Sequence, residues 1–91
     1  MKENTKIRRN PDLVTSDLDG EVVMMNVETG KYYNLGKVGG KIWALLEKEI
    51  TFTRLIDALM DKYDVERAKC ESETTAFLQM LAKQRLILVD E

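Results

Sequence analysis

One change of period, at Val38, does most to limit what this chain can fold into. Before it, apolar residues sit in short β-branched and aromatic runs broken by Gly and Asp; after it they recur every three or four positions. Period two means strands and a spacing of three to four means helices, so the chain should read as strands first and helices afterwards. At 91 residues and 44% apolar content there is material for one core, and a third of the residues being charged fits a folded globule. The expected class is α+β, a three-stranded antiparallel sheet followed by three helices that cover one of its faces.

Residues 1–12 are polar and end in the turn-prone Asn10-Pro11-Asp12, so they read as a flexible basic N-terminal arm, with the domain occupying 13–91. Leu13-Val14-Thr15 is predicted as a short strand and Asp17-Leu18-Asp19-Gly20 as a tight turn. Glu21 to Val27 and Lys31 to Leu35 form a second hairpin about Glu28-Thr29-Gly30, where glycine supplies φ > 0. Side-chain alternation in the last strand sends Tyr33 and Leu35 to the core and leaves Tyr32 and Asn34 outside.

The first helix places Val38, Ile42, Leu45 and Leu46 on one side, broadened by Trp43, and should end near Glu49. The second runs from Thr53, a candidate N-cap, to Tyr63 behind the stripe Leu55, Leu59 and Tyr63. The third spans about Glu66 to Gln84, with Cys70, Thr74, Phe77, Leu78 and Leu81 inward. Leu86 to Val89 is too short for a helix and reads as an extended segment packed on the domain. The helical half resembles a winged helix-turn-helix.

Composition removes several functions. The chain has no histidine, the usual general base beside a nucleophile and the commonest metal ligand. Its single cysteine, Cys70, can form neither an intrachain disulfide nor a structural zinc site, and no glycine-rich phosphate loop is present, so no cofactor is expected. Cys70 on a helix stripe reads as a small core residue, and Asp17 and Asp19 as turn residues, not as a carboxylate pair. No secretory signal opens the chain and no apolar run approaches the roughly 20 residues of a membrane span, so a cytoplasmic protein is expected. The net charge of −2 includes +3 from residues 1–10, which leaves −5 for the rest. That balance disfavours a surface for nucleic-acid phosphates.

The runs Asp19-Gly20-Glu21-Val22-Val23, Glu28-Thr29-Gly30-Lys31-Tyr32-Tyr33-Asn34-Leu35, Val38-Gly39, Ile42-Trp43 and Leu45-Leu46 resemble the pyrroloquinoline quinone biosynthesis protein D (PqqD) family. The likeness continues through Leu55 to Tyr63, Asp64-Val65, Phe77-Leu78, Leu81 and Leu86-Ile87, so that it covers about 13–89. The Glu-Thr-Gly-Lys-Tyr-Tyr run before a Trp-bearing helix looks most like the stand-alone recognition elements of lasso-peptide biosynthesis. Gly36 departs from the family pattern, which has Asn at the start of the first helix.

The resemblance implies a non-catalytic protein that binds the leader of a ribosomally synthesised precursor peptide as an added strand beside Lys31 to Leu35. Lys31, Tyr32, Tyr33 and Asn34 would hold the leader backbone, with Leu35 also at the peptide site, and on the third helix Ala76 and Met80 would wall a groove floored by Phe77, with Lys69 and Glu73 toward its rim. Its implied partners are a transglutaminase-like cysteine protease that removes the leader and the ATP-dependent lasso cyclase.

The residues alone reach the same surface, because the last strand of the meander has no later strand certain to cover it. They leave alternatives open: Leu86 to Val89 or a second protomer could cover that edge, and Ala76 and Met80 could be ordinary core. A winged-helix DNA-binding regulator is the rival function, against which stand Glu66, Glu71 and Glu73 on the third helix beside Arg67, Lys69 and Lys83.

Overall fold

The computed structural model describes residues 1–11, 13–18, 21–26 and 30–90. Its elements run β1 (Lys6–Arg9), β2 (Leu13–Leu18), β3 (Glu21–Asn26), β4 (Tyr32–Asn34), α1 (Gly36–Leu45), β5 (Ile50–Thr51), α2 (Phe52–Lys62), α3 (Arg67–Lys83) and β6 (Ile87–Asp90). The α+β class holds, but the strands form two sheets, ordered β2-β3-β4 and β5-β1-β6, both antiparallel.

The first sheet is the expected meander. β2 pairs with β3 from Leu13↔Asn26 to Leu18↔Glu21, so Asp17 and Leu18 belong to the strand and not to a turn. Asp19 and Gly20 of that predicted turn, and Val27, Glu28 and Thr29 of the next hairpin, lie outside the described residues. Gly30 takes φ +72, as a hairpin glycine can. β3 pairs with β4 through Val23↔Asn34, Met24↔Tyr33 and Met25↔Tyr32. Met24 is buried and its neighbour Tyr33 packs against the core, whereas Tyr32 is 74% exposed, so the alternation reads as predicted.

The N-terminal residues are not a free arm. β1 is the centre of the second sheet, paired with β6 from Lys6↔Asp90 to Arg9↔Ile87 and with β5 through Lys6↔Thr51 and Ile7↔Ile50. Ile7 is fully buried and so is Thr5. The segment also closes α2: Phe52 donates its backbone N–H to Thr5 O at 2.9 Å, and Thr53 donates N–H and Oγ1–H to Glu3 O at 3.1 and 2.9 Å. The first turn of a helix has orphan N–H groups, and here a neighbouring backbone accepts two of them.

Helix boundaries shift for the same reason. α1 ends at Leu45, short of Glu49, because Ile50 and Thr51 must extend to pair with β1. The α2 cap is Thr51, whose Oγ1 accepts from Arg54 N–H at 3.3 Å, and not Thr53, which lies inside the helix. α1 starts at Gly36 with φ +70; the cap residue Leu35 offers no side-chain acceptor, and the Gly36 amide donates to Asn34 Oδ1 at 2.9 Å instead.

α3 ends with Arg85 at φ +60, Arg85 N–H donating to Ala82 O at 3.0 Å and Leu86 N–H to Leu81 O at 2.9 Å, a Schellman arrangement. It turns Leu86 inward, fully buried, and sends the chain into β6. The core comprises Ile7, Met24, Ile42, Trp43, Leu46, Phe52, Leu55, Ile56, Leu59, Cys70, Leu78, Leu81, Leu86 and Ile87. Val38, expected in it, is 57% exposed. No helix among the described residues is long and apolar enough to cross a membrane.

Candidate functional site

β4 pairs with β3 on one side and, among the described residues, carries no strand on the other. The segment Leu86 to Val89 does not cover it, because Ile87–Asp90 is committed to β1. The strand is held at its position by two side chains. Tyr33 Oη donates to Gln84 Oε1 near the end of α3 at 2.9 Å, and the Asn34 carboxamide receives the first amide of α1. The middle of β4 is thereby tied to the end of α3 and its last residue to α1.

Where the strand runs into α1, an apolar cleft of about 370 Å³ opens between the three helices. Leu35, Val38, Gly39 and Ile42 come from the β4–α1 side; Leu59, Tyr63 and Val65 come from α2 and the residues after it; Cys70, Glu73, Thr74 and Phe77 come from α3. Ile42, Leu59, Cys70 and Thr74 are buried and make the floor, with Cys70 Sγ 3.9 Å from Thr74 Oγ1. Glu73, Val38 and Val65 are exposed at the rim. A concave, mostly apolar site with few polar groups is what apolar side chains of a ligand require.

The site residues expected from sequence divide into three sets. Leu35, Glu73 and Phe77 line the cleft. Lys31, Tyr32, Tyr33 and Asn34 belong to the open strand and its approach, with Lys31, Tyr32 and Asn34 exposed and Tyr33 half-buried. Lys69, Ala76 and Met80 do not line the cleft; with Glu73 they follow one another at spacings of three and four along the exposed side of α3. Met80 is 40% exposed, so the ordinary-core alternative fails for it and for Ala76.

Val38, Gly39, Ile42, Leu59, Tyr63, Val65, Cys70 and Thr74 were not expected at the site. Spacing placed most of them on buried stripes, and a helical stripe does not tell a residue that faces a filled core from one that faces a cleft. The one available signal was Val65, an apolar residue in the link between α2 and α3 with no stripe to join. Among the described residues no group of His, Cys, Asp or Glu could hold a metal ion.

The sequence model of the family described as Coenzyme PQQ synthesis protein D (PqqD) matches residues 21–87. The chain belongs to the PqqD family. The match leaves β1 outside, although β1 is the central strand of the second sheet. Among solved structures, this PqqD-family chain is similar to TbiB1 in complex with the TbiA(beta) leader peptide. Identity there is 34% over 88% of this chain and 93% of that one, with a TM-score of 0.83. It also shares its fold with a lasso peptide synthetase B1 complexed with the leader peptide, at 22% identity over 90% and 96% of the two chains and a TM-score of 0.79. A search of the curated proteins finds no match.

Proposed function

We propose that this chain binds the leader of a ribosomally synthesised lasso precursor by strand addition along β4, with apolar leader side chains seated in the adjacent cleft. The observation that carries this reading is the open β4 edge lying beside an apolar cleft against α3, in a fold whose 34% identical relative TbiB1 is described in complex with a leader peptide. Backbone groups of β4 give affinity that tolerates many sequences, and the cleft supplies selectivity. Two buried leader side chains at about 1.5–3 kcal/mol each supply a useful share of the roughly 8 kcal/mol of a micromolar complex once ordering costs are subtracted, and the β4 backbone supplies the rest.

In this reading the chain performs no chemistry. It raises the leader's effective concentration at a leader peptidase of the transglutaminase-like cysteine protease type and at an ATP-dependent cyclase, both of which act on the tethered precursor. The exposed Lys69, Glu73, Ala76 and Met80 flank the bound strand. A winged-helix DNA reading finds less support, since on α3 Arg67 is already engaged by Asp57 at 2.9 Å and Glu71 at 3.7 Å.

The test is a fluorescence titration with the leader of the precursor encoded beside this chain's gene. Saturable micromolar binding is expected, weakened about tenfold or more by Met80→Asp, which puts a charge on the exposed side of α3 that flanks the bound strand without touching the core. Absence of saturable binding by the unsubstituted chain would overturn the reading.

A further inference from the structure

The wall of the cleft contains one contact that a single methyl group would abolish. A Cβ built on Gly39 lies 3.0 Å from Phe77 Cζ, 3.4 Å from Phe77 Cε1 and 3.0 Å from Leu35 Cβ. The φ of Gly39 is unexceptional, so glycine is needed there for space and not for backbone freedom. The Leu35 contact is with a Cβ carried on the backbone between β4 and α1, so it yields only through a backbone shift of a few tenths of an ångström, and it is the same whatever stands at 77. The Phe77 ring can give way. It is half-buried on α3, with α1 on one side and the cleft on the other.

We infer that Gly39 is the size-setting residue of the cleft: its bare Cα lets the Phe77 ring seat against α1, and this keeps the space beside the ring open for a bulky apolar leader side chain. This rests on the leader-binding reading and adds to it a positioning residue in the cleft wall that acts through the Phe77 ring. A Cβ at 39 drives the ring off α1, and the open side available to it is the cleft. Selectivity among leaders for the size of their apolar residues then depends on an α1–α3 contact beneath the binding surface.

The test is a double-mutant cycle on the full chain, with the labelled TbiA(beta) leader peptide as probe. Gly39→Ala is expected to weaken binding at least tenfold while circular dichroism shows the fold intact. In a Phe77→Leu background, which lacks the ring atoms that clash, adding Gly39→Ala should cost at least threefold less affinity than in the parent, since only the Leu35 Cβ contact is then left. An unchanged affinity in Gly39→Ala, or an equal loss in both backgrounds, overturns the inference.

A second measurement does not depend on leader binding. Cys70 on the cleft floor is the only thiol, and its rate of modification by N-ethylmaleimide should fall several-fold in Gly39→Ala and recover in the double variant. If the unsubstituted chain fails to bind the leader peptides while the thiol rates follow this pattern, the leader reading falls and the role of Gly39 stands. If binding is normal and the rates do not move, the reverse holds.

Discussion

At the scale of single residues, two arginines carry more structure than their charge suggests. Arg9, half-buried on β1, places its guanidinium 4.6 Å from the centre of the Trp43 ring and donates from Nη2 and Nε to the Trp43 carbonyl at 2.6 and 3.1 Å. Burial lowers its pKa and the nearby Glu47 carboxylate raises it, but an arginine stays charged throughout. A cation at the last carbonyls of α1 also suits the helix dipole. Arg9→Ala should therefore destabilise the fold by about 1–2 kcal/mol, the partial exposure of the group tempering the larger values of fully buried charge-assisted bonds. Urea denaturation followed by fluorescence of Trp43, the sole tryptophan, reads it directly. Arg85 is the opposite case. It occupies the left-handed position that ends α3, where glycine is unstrained, so Arg85→Gly should raise stability by up to about 1 kcal/mol, less whatever its guanidinium contributes. A thermal melt no higher than that of the parent would contradict this.

At the scale of elements, β1 decides the most. Ile7 is fully buried in the core, and the strand neighbours of β1 are β5 and β6. Ile7→Ala is expected to cost about 2–4 kcal/mol by chemical denaturation, and removal of residues 1–9 should leave a chain without a cooperative transition. Full retention of stability by that truncation would return the segment to the status of an arm. The sequence hid β1 for a physical reason: with one apolar residue among Lys6, Arg8 and Arg9, a strand sandwiched by two others looks like a basic terminus. β5 hid because two residues have no period. Elements with long runs were legible: the β3–β4 hairpin, the Leu55–Leu59 stripe of α2 and the Cys70, Thr74, Leu78 and Leu81 stripe of α3 all lie where spacing puts them. Of the site, the strand edge was legible and the cleft only in part: Leu35, Glu73 and Phe77 line it, but Val38 at its exposed rim and Ile42 and Thr74 on its buried floor sat on helical stripes that look alike.

At the scale of the molecule, the question is which edge receives a guest strand, since among the described residues both sheets end in unpaired edges. β6 offers Ile87–Asp90 with Leu88 partly exposed, but none of its residues lines the apolar cleft. β4 is shorter, three residues, and three residues of backbone pairing alone are weak. Its advantage is its setting: Tyr33 fastens it to α3, Asn34 fastens it to α1, and the cleft opens at its end. A leader that zips onto β4 can therefore bury apolar side chains in that cleft at once, whereas β6 contributes no residue to it. The predicted consequence is local. On saturation with leader, hydrogen exchange of the β4 amides at 32–34 should slow by at least tenfold and the Phe77 resonances should shift, while the amides of β6 at 87–90 exchange as before. Slowing confined to 87–90 would move the binding surface to the second sheet and leave the β4 edge without a role.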